Sequence, residues 1–177
     1  MSKITQYVLD ATRLRLADPA TGFNATVAQA LQAYGLPALS IDWSDSSTQY
    51  FEAFLGPDDI DDSTPSKYPM VFLHGLASDN AHDAKPRAFS GTVEVALSFW
   101  LTERATDARK AGKALERKCS AIEDAINALF ADGNWPQLWG AQNALLVRYP
   151  SQRSRIEIGA EHWRKSILFR LTFQVDE

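Results

Sequence analysis

At 177 residues and 19.7 kDa the chain has the length of one domain. Its hydrophobic fraction of 45% and charged fraction of 23% exclude a wholly disordered or collagen-like chain. A single cysteine, Cys119, excludes a disulfide scaffold. No apolar run approaches the ~18–20 residues that span a bilayer, and Met1-Ser-Lys-Ile-Thr-Gln6 lacks the apolar centre of a secretory signal. The expected class is a soluble, cytosolic protein.

Net charge is −4 with a pI near 5.4, which argues against a general nucleic-acid binder. The distribution is uneven. Between Leu16 and Ser66 there is no lysine or arginine. That stretch holds Asp18, Asp42, Asp45, Glu52, Asp58, Asp59, Asp61 and Asp62, a charge of −8, so the rest of the chain nets +4. Two readings stand: a solvated acidic loop, or an acidic patch that meets a basic patch on a neighbouring subunit.

In chain order, Ile4, Val8, Ala11 and Leu14 at three- and four-residue steps predict a helix from Ser2 to Leu16, with Ser2 as cap and Pro19 beyond its end. A second helix is expected from Asn24, its cap, to Tyr34. Val27, Ala30, Leu31 and Tyr34 would form its apolar stripe, with Gly35 in the left-handed position and Pro37 barring continuation. Residues 1–36 thus form an N-terminal helical segment.

Leu39–Trp43 and Gln49–Leu55 read as short strands, and residues 56–67, rich in Asp and Pro, as an acidic surface loop. Tyr68–Leu73 is an apolar strand, followed by a polar connection over Gly75–Pro86. The clearest strand has Val93, Val95, Leu97, Phe99 and Leu101 on one face by strict alternation.

After Thr102 the period changes to 3.6. Ala108, Ala111, Leu115, Cys119, Ile122, Ile126 and Leu129 make one stripe of a helix over residues 105–130, stopped by Asp132-Gly133-Asn134. At ~1.5 Å per residue it would span roughly 39 Å. Ala144–Tyr149 and Trp163–Val175 are the closing strands, and Arg155–Ile158 can pair with one of them. No internal repeat or linker interrupts the chain. The expected fold is a single α+β domain over residues 1–177: a mixed, mostly antiparallel sheet, one long amphipathic helix packed across it, and N-terminal helices. Trp100, Trp135, Trp139 and Trp163 exceed what one helix covers, and leftover aromatic surface favours self-association.

Catalytic signals are thin. Pro69-Met-Val-Phe-Leu-His-Gly75 looks like the strand and oxyanion-hole loop of an α/β-hydrolase, but no Gly-x-Ser-x-Gly elbow follows, and only His82 and His162 remain as bases. His74, His82 and His162 lack metal-ligand spacing, and Asp58-Asp-Ile-Asp-Asp62 lacks the glycine and distal glutamate of a calcium loop. The glycines fit no phosphate-binding pattern. Cys119 sits on the helix stripe as a small buried hydrophobe. Arg104, Arg109, Lys110, Lys113, Arg117 and Lys118 could meet phosphates or a neighbouring subunit, with Glu103, Asp107 and Glu116 interleaved. Neither cofactor nor metal is expected.

The order of elements resembles the tail-terminator, or tail-completion, proteins of long-tailed bacteriophages. An N-terminal helical segment precedes short strands; Lys67-Tyr-Pro-Met-Val-Phe-Leu-His74 follows a polar loop. Thr92-Val-Glu-Val-Ala-Leu-Ser-Phe-Trp-Leu-Thr102 runs directly into the long helix ending Ala128-Leu-Phe130, and Ser166-Ile-Leu-Phe-Arg-Leu-Thr-Phe-Gln-Val175 closes the chain. The resemblance covers Tyr68 to the C-terminus. It implies a non-catalytic subunit of a homo-oligomeric, hexameric ring. Such a ring caps the tail tube, stops its growth and joins it to the head connector, in the host cytoplasm during assembly and then in the virion. DNA would pass through the lumen without specific binding. Candidate interface residues are Asp58, Asp59, Asp61 and Asp62 on the acidic side, and Arg104, Arg109, Lys110 and Lys113 on the basic side. The alternative is a small soluble α+β binding or regulatory module without catalysis.

Overall fold

The computed structural model describes residues 3–60, 67–80, 89–131, 143–159 and 162–176. The expected features at Ser2, Asp61, Asp62, His82, 132–134, Trp135 and Trp139 lie outside them. Three helices, α1 (Lys3–Ala17), α2 (Phe23–Ala33) and α3 (Ala108–Ala131), accompany seven strands: β1 (Tyr50–Phe51), β2 (Met70–Asn80), β3 (Ser90–Glu103), β4 (Asn143–Arg148), β5 (Ser151–Arg153), β6 (Glu157–Ile158) and β7 (Trp163–Asp176). The strands form one sheet in the order β1-β2-β3-β7-β4, with β5 and β6 also pairing with β7. Every pairing is antiparallel except β1 with β2. The fold is α+β.

The sheet rests on β3 and β7, paired over their full 14-residue lengths. Alternation sends Val93, Val95, Leu97, Phe99 and Leu101 of β3, and Ile167, Phe169, Leu171, Phe173 and Val175 of β7, to the helix-covered face, where all are buried. Against them lies the α3 stripe: Ala111, Leu115, Cys119, Ile122, Ala125, Ile126 and Leu129, each at most 1% exposed. Twenty-four helical residues give α3 a length of roughly 36 Å. It starts at Ala108, three residues later than expected, because Asp107 caps it: the Asp107 carboxylate accepts the Lys110 amide at 2.8 Å. Ala108 is consequently exposed.

The N-terminal helices complete this layer, with α1 over β2 and β3 and α2 against α3. The buried face of α1 differs from the expected one. Ile4 and Val8 are buried, but so are Thr5, Leu9, Thr12 and Leu16, while Leu14 is 73% exposed. The 5-9-12-16 stripe includes two threonines that look polar in sequence. Thr12 enters the core because its hydroxyl donates to the Val8 carbonyl at 2.7 Å. In α2 the cap is Gly22, not Asn24. Asn24 instead accepts the Ile41 amide at 2.9 Å and donates to the Ile41 carbonyl at 2.8 Å. This clamp replaces strand pairing for residues 39–43, which are irregular with Ile41 and Trp43 buried. Gly35 has φ +66°, the left-handed stop expected after α2.

Two more strands depart from expectation. Only Tyr50 and Phe51 of the 49–55 segment pair with the sheet. β2 is the longer surprise, since it continues through the polar residues 75–80 as the outer arm of a hairpin with β3. Backbone ladder bonds hold it there without help from apolar side chains. Gly91 is required opposite that arm, because any Cβ there would strike the Asp79 carbonyl. The face away from the helices carries a smaller cluster, Tyr68, Met70 and Phe72, flanked by Phe51, Ile60 and Trp100.

Burial of the α3 stripe makes a direct prediction. Leu115→Asp or Ile122→Asp places an unpaired carboxylate in the core and should cost about 3–5 kcal/mol. Leu14→Asp, on the exposed side of α1, should change stability by no more than ~0.5 kcal/mol. Urea melts followed by circular dichroism check the ranking, and comparable losses at both sites would refute this packing.

Candidate functional site

The features singled out for chemistry in the sequence do not converge. His74 lies on β2, partly buried, with Phe54 edge-on to its ring at 4.9 Å. Its Nδ1 is buried without a partner among the described residues, and burial lowers its pKa, so it stays neutral at pH 7. His162 is buried with its ring against Tyr68 at 5.1 Å. Cys119, on the stripe of α3 that faces the sheet, is fully buried, and burial pushes its thiol up to about 11. Among the described residues no three His, Cys, Asp or Glu side chains are grouped to hold a metal. No described helix is long and apolar enough to cross a membrane.

The acidic segment is largely engaged within the subunit. Asp58, a candidate interface residue, accepts from the buried Arg164 at 3.0 Å. Burial works against that guanidinium, but bonds to Tyr68 and Asp58 outweigh it and raise its pKa, and Glu157 adds a contact at 3.3 Å. Arg164 also lies 5.9 Å from the Trp100 ring centre, which explains how the aromatic face away from the helices is partly covered. Asp59 closes a single turn of 3-10 helix, Pro57–Asp59, by accepting the Gly56 amide at 2.9 Å. Asp45 pairs with Arg13. Glu52 accepts from Gln6 at 2.6 Å, and Asp42 holds the Ser44 turn.

The polar side of α3 divides in two. Glu116 and Glu123 turn toward the sheet edge, where Arg153 reaches both at 2.8 and 2.7 Å and the buried Lys165 reaches Glu116 at 2.8 Å. Ser151 also donates to Glu123. Asp124 accepts from Tyr34 of the turn after α2 at 2.9 Å. Of the acids interleaved with the bases in the sequence, Glu116 is drawn to Lys165 and Arg153, and Asp107 caps the helix. Arg109, Lys110, Lys113 and Arg117 are left exposed, and their side chains make no hydrogen bond or ion pair among the described residues. Arg104 is exposed but engaged, and Lys118 pairs with Glu103 at 2.8 Å.

Sequence reasoning missed the sheet edges. Residues 76–79 of β2 have no paired strand on their outer side among the described residues, since β1 covers Val71 and Phe72. The far edge is β4, paired only with β7. Both edges lie on the same rungs: Ser78 pairs with Val93, Val93 with Phe173, and Phe173 with Leu146. Leu76 on one edge and Leu145 and Val147 on the other are exposed. Beside β1, α1 and the Trp43 segment form an open cleft of about 330 Å³ lined by Asp10, Arg13, Leu14, Ala17 and Trp43.

No family model and no curated protein matches the chain. Among solved structures, a chain from the virion of a native gene transfer agent particle is similar at 12% identity and a TM-score of 0.32. The match covers 91% of this chain and 99% of that one.

Two outcomes follow from this chemistry. The pKa of Glu116 is lowered, first by its bond from Lys165, and that of Glu123 first by Ser151. Groups whose folded pKa is depressed stabilise the fold above the ordinary carboxylate range and lose that contribution as pH falls through it. Urea midpoints should therefore drop between neutral pH and about pH 3, and Arg153→Met should lower the neutral value and flatten the drop. Cys119 should resist alkylation by iodoacetamide in the native protein and react once the chain is unfolded; labelling of the folded protein would contradict its burial.

Proposed function

We propose that this chain is a non-catalytic structural subunit of a phage-like virion, a ring-forming terminator that caps the tail tube and joins it to the head connector. The observation that carries this reading is the pair of sheet edges at one level of the same sheet that no described residue covers, β2 at 76–79 and β4 at 143–148. An unpaired edge is a row of free backbone donors and acceptors, and an isolated protein ordinarily shields it. Here Leu76 is exposed on one edge, and Leu145 and Val147 are exposed on the other. Edges on opposite sides of one sheet are different surfaces, so a contact between them is heterologous and closes a ring when the rotation between copies closes.

The charges support the same arrangement. Asp45 and Glu52 lie beside β1, held by Arg13 and Gln6 of α1, whereas Arg109 and Lys113 are on α3, whose Glu116 and Glu123 bond Arg153 and Lys165 of β5 and β7. Neighbours in a ring would meet acid to base. The order of elements adds the resemblance to tail terminators.

Size-exclusion chromatography with light scattering, over a wide concentration range, tests the reading. A closed oligomer of fixed size, six copies for the terminator, is expected, and it should stop elongation when added to polymerising cognate tube protein. Arg109→Glu with Lys113→Glu should leave the melting curve unchanged and shift the protein toward smaller species. A monomer at every concentration would overturn the proposal in favour of a small binding module.

A further inference from the structure

The cleft beside α1 and the exposed corner around β6 are related in polarity, charge and position. The cleft is lined by Leu14, Ala17 and Trp43 and rimmed by Asp10 and Arg13. Leu14 is 73% exposed. Arg13 is held by the Asp45 carboxylate and the Trp43 carbonyl, and Glu52 bonds Gln6, which also donates to Asp10. Arg15 is turned away, to Thr21. Asp45 thus carries the Arg13 charge, and Gln6 joins Asp10 of the cleft to Glu52.

The β6 corner has the opposite character. Ile158 is 76% exposed and Ile156 37%. Ile156 lies against Gly112 of α3, where an added Cβ would come within 3.1 Å of its Cδ1. Arg109, one turn before Gly112, and Lys113, next to it in sequence, project to one side of that contact, and Arg155 adjoins Ile156 in the chain. All three are exposed and make no side-chain hydrogen bond or ion pair among the described residues. The neighbouring acids are committed elsewhere, Glu157 to Arg164 and Glu116 to Lys165 and Arg153.

Position completes the match. α1 crosses β2 with Thr5 over Gly75 and reaches Arg13 beside Tyr50, whose partner is Val71. Eight helical residues advance ~12 Å, as do four strand residues at ~13 Å. Continuing past Arg13, Leu14–Ala17 runs toward the end of the sheet where β6 pairs with Trp163 and Arg164. Cleft and corner therefore lie at the same end of the sheet, on opposite edges.

We propose that the α1–Trp43 cleft of one copy receives Ile158 and Ile156 of the next copy, with Arg155, Arg109 and Lys113 facing Asp10, Asp45 and Glu52. This contact rests on the reading of the chain as a self-assembling subunit and names the surfaces that meet. Apolar knobs in a cleft supply the burial, and the ring of charges sets the partner and the register.

The test uses two surface variants of the full chain, Leu14→Asp and Ile158→Asp. Each alone should keep the wild-type melting curve and weaken association by about tenfold or more. Mixed together, they should form a one-to-one dimer and nothing larger, because only one good cleft and one good knob remain between them. A second, charge-based pair checks the register: Asp10→Arg and Arg155→Asp should each weaken the ring, and both changes in one chain should restore it. If wild-type rings form and either apolar variant keeps them intact, the contact is wrong while the assembly reading stands. If the mixture gives full rings or only monomers, the contact is not head-to-tail as proposed. A wild-type protein that is monomeric throughout would overturn the assembly reading itself.

Discussion

The structure depends on one packing contact, the apolar stripe of α3 against the alternating faces of β3 and β7. Each surface has the periodicity its backbone requires, 3.6 for the helix and 2 for the strands, and each would be insoluble alone. Burying a leucine-sized side chain contributes about 1.5–3 kcal/mol. The seven residues of the α3 stripe, each at or below 1% exposure, therefore hold the two layers together. α1 and α2 extend the same layer toward β2, with Thr5 set over Gly75, where a side chain would collide with its methyl group.

That contact also decides which surfaces remain. Covering one sheet face uses all three helices and leaves the edges and the far face to other devices. The far face is partly met by Tyr68, Phe72 and Trp100 with Arg164 and its carboxylate partners. The edges have no such cover among the described residues. Charge follows the same division. Acids of the 42–58 segment and of α3 are drawn into bonds within the subunit, whereas Arg109, Lys110, Lys113, Arg155 and Arg117 stay outside them. An exposed pair is worth little by itself, so these free bases matter as a field and not as individual bonds.

The α3 stripe and the β3 and β7 alternations were readable because their patterns run long enough for the period to be unambiguous. Gly35 was readable because left-handed backbone favours glycine. The misreadings have physical causes. In α1, Leu14 satisfied the spacing as well as Leu9 did, and a short amphipathic pattern does not reveal that Thr12 will bond its own backbone and be buried. Asn24 had the chemistry of a cap and was used as a clamp on Ile41, a partner 17 residues away. The outer arm of β2 is polar, and its strand conformation comes from β3, so no local signal marks it.

What the sequence by itself determined was the class of fold, the place of the long helix and the burial of Cys119, because these follow from periodicity within single segments. It also showed that acidic and basic charge are segregated along the chain. Which acids would be spent on Arg13, Arg153 and Arg164, and which sheet edges would stay open, only the tertiary structure decided. Both depend on pairings between residues tens of positions apart, and a hydrogen bond across 106 residues, as from Arg164 to Asp58, leaves no trace in local spacing.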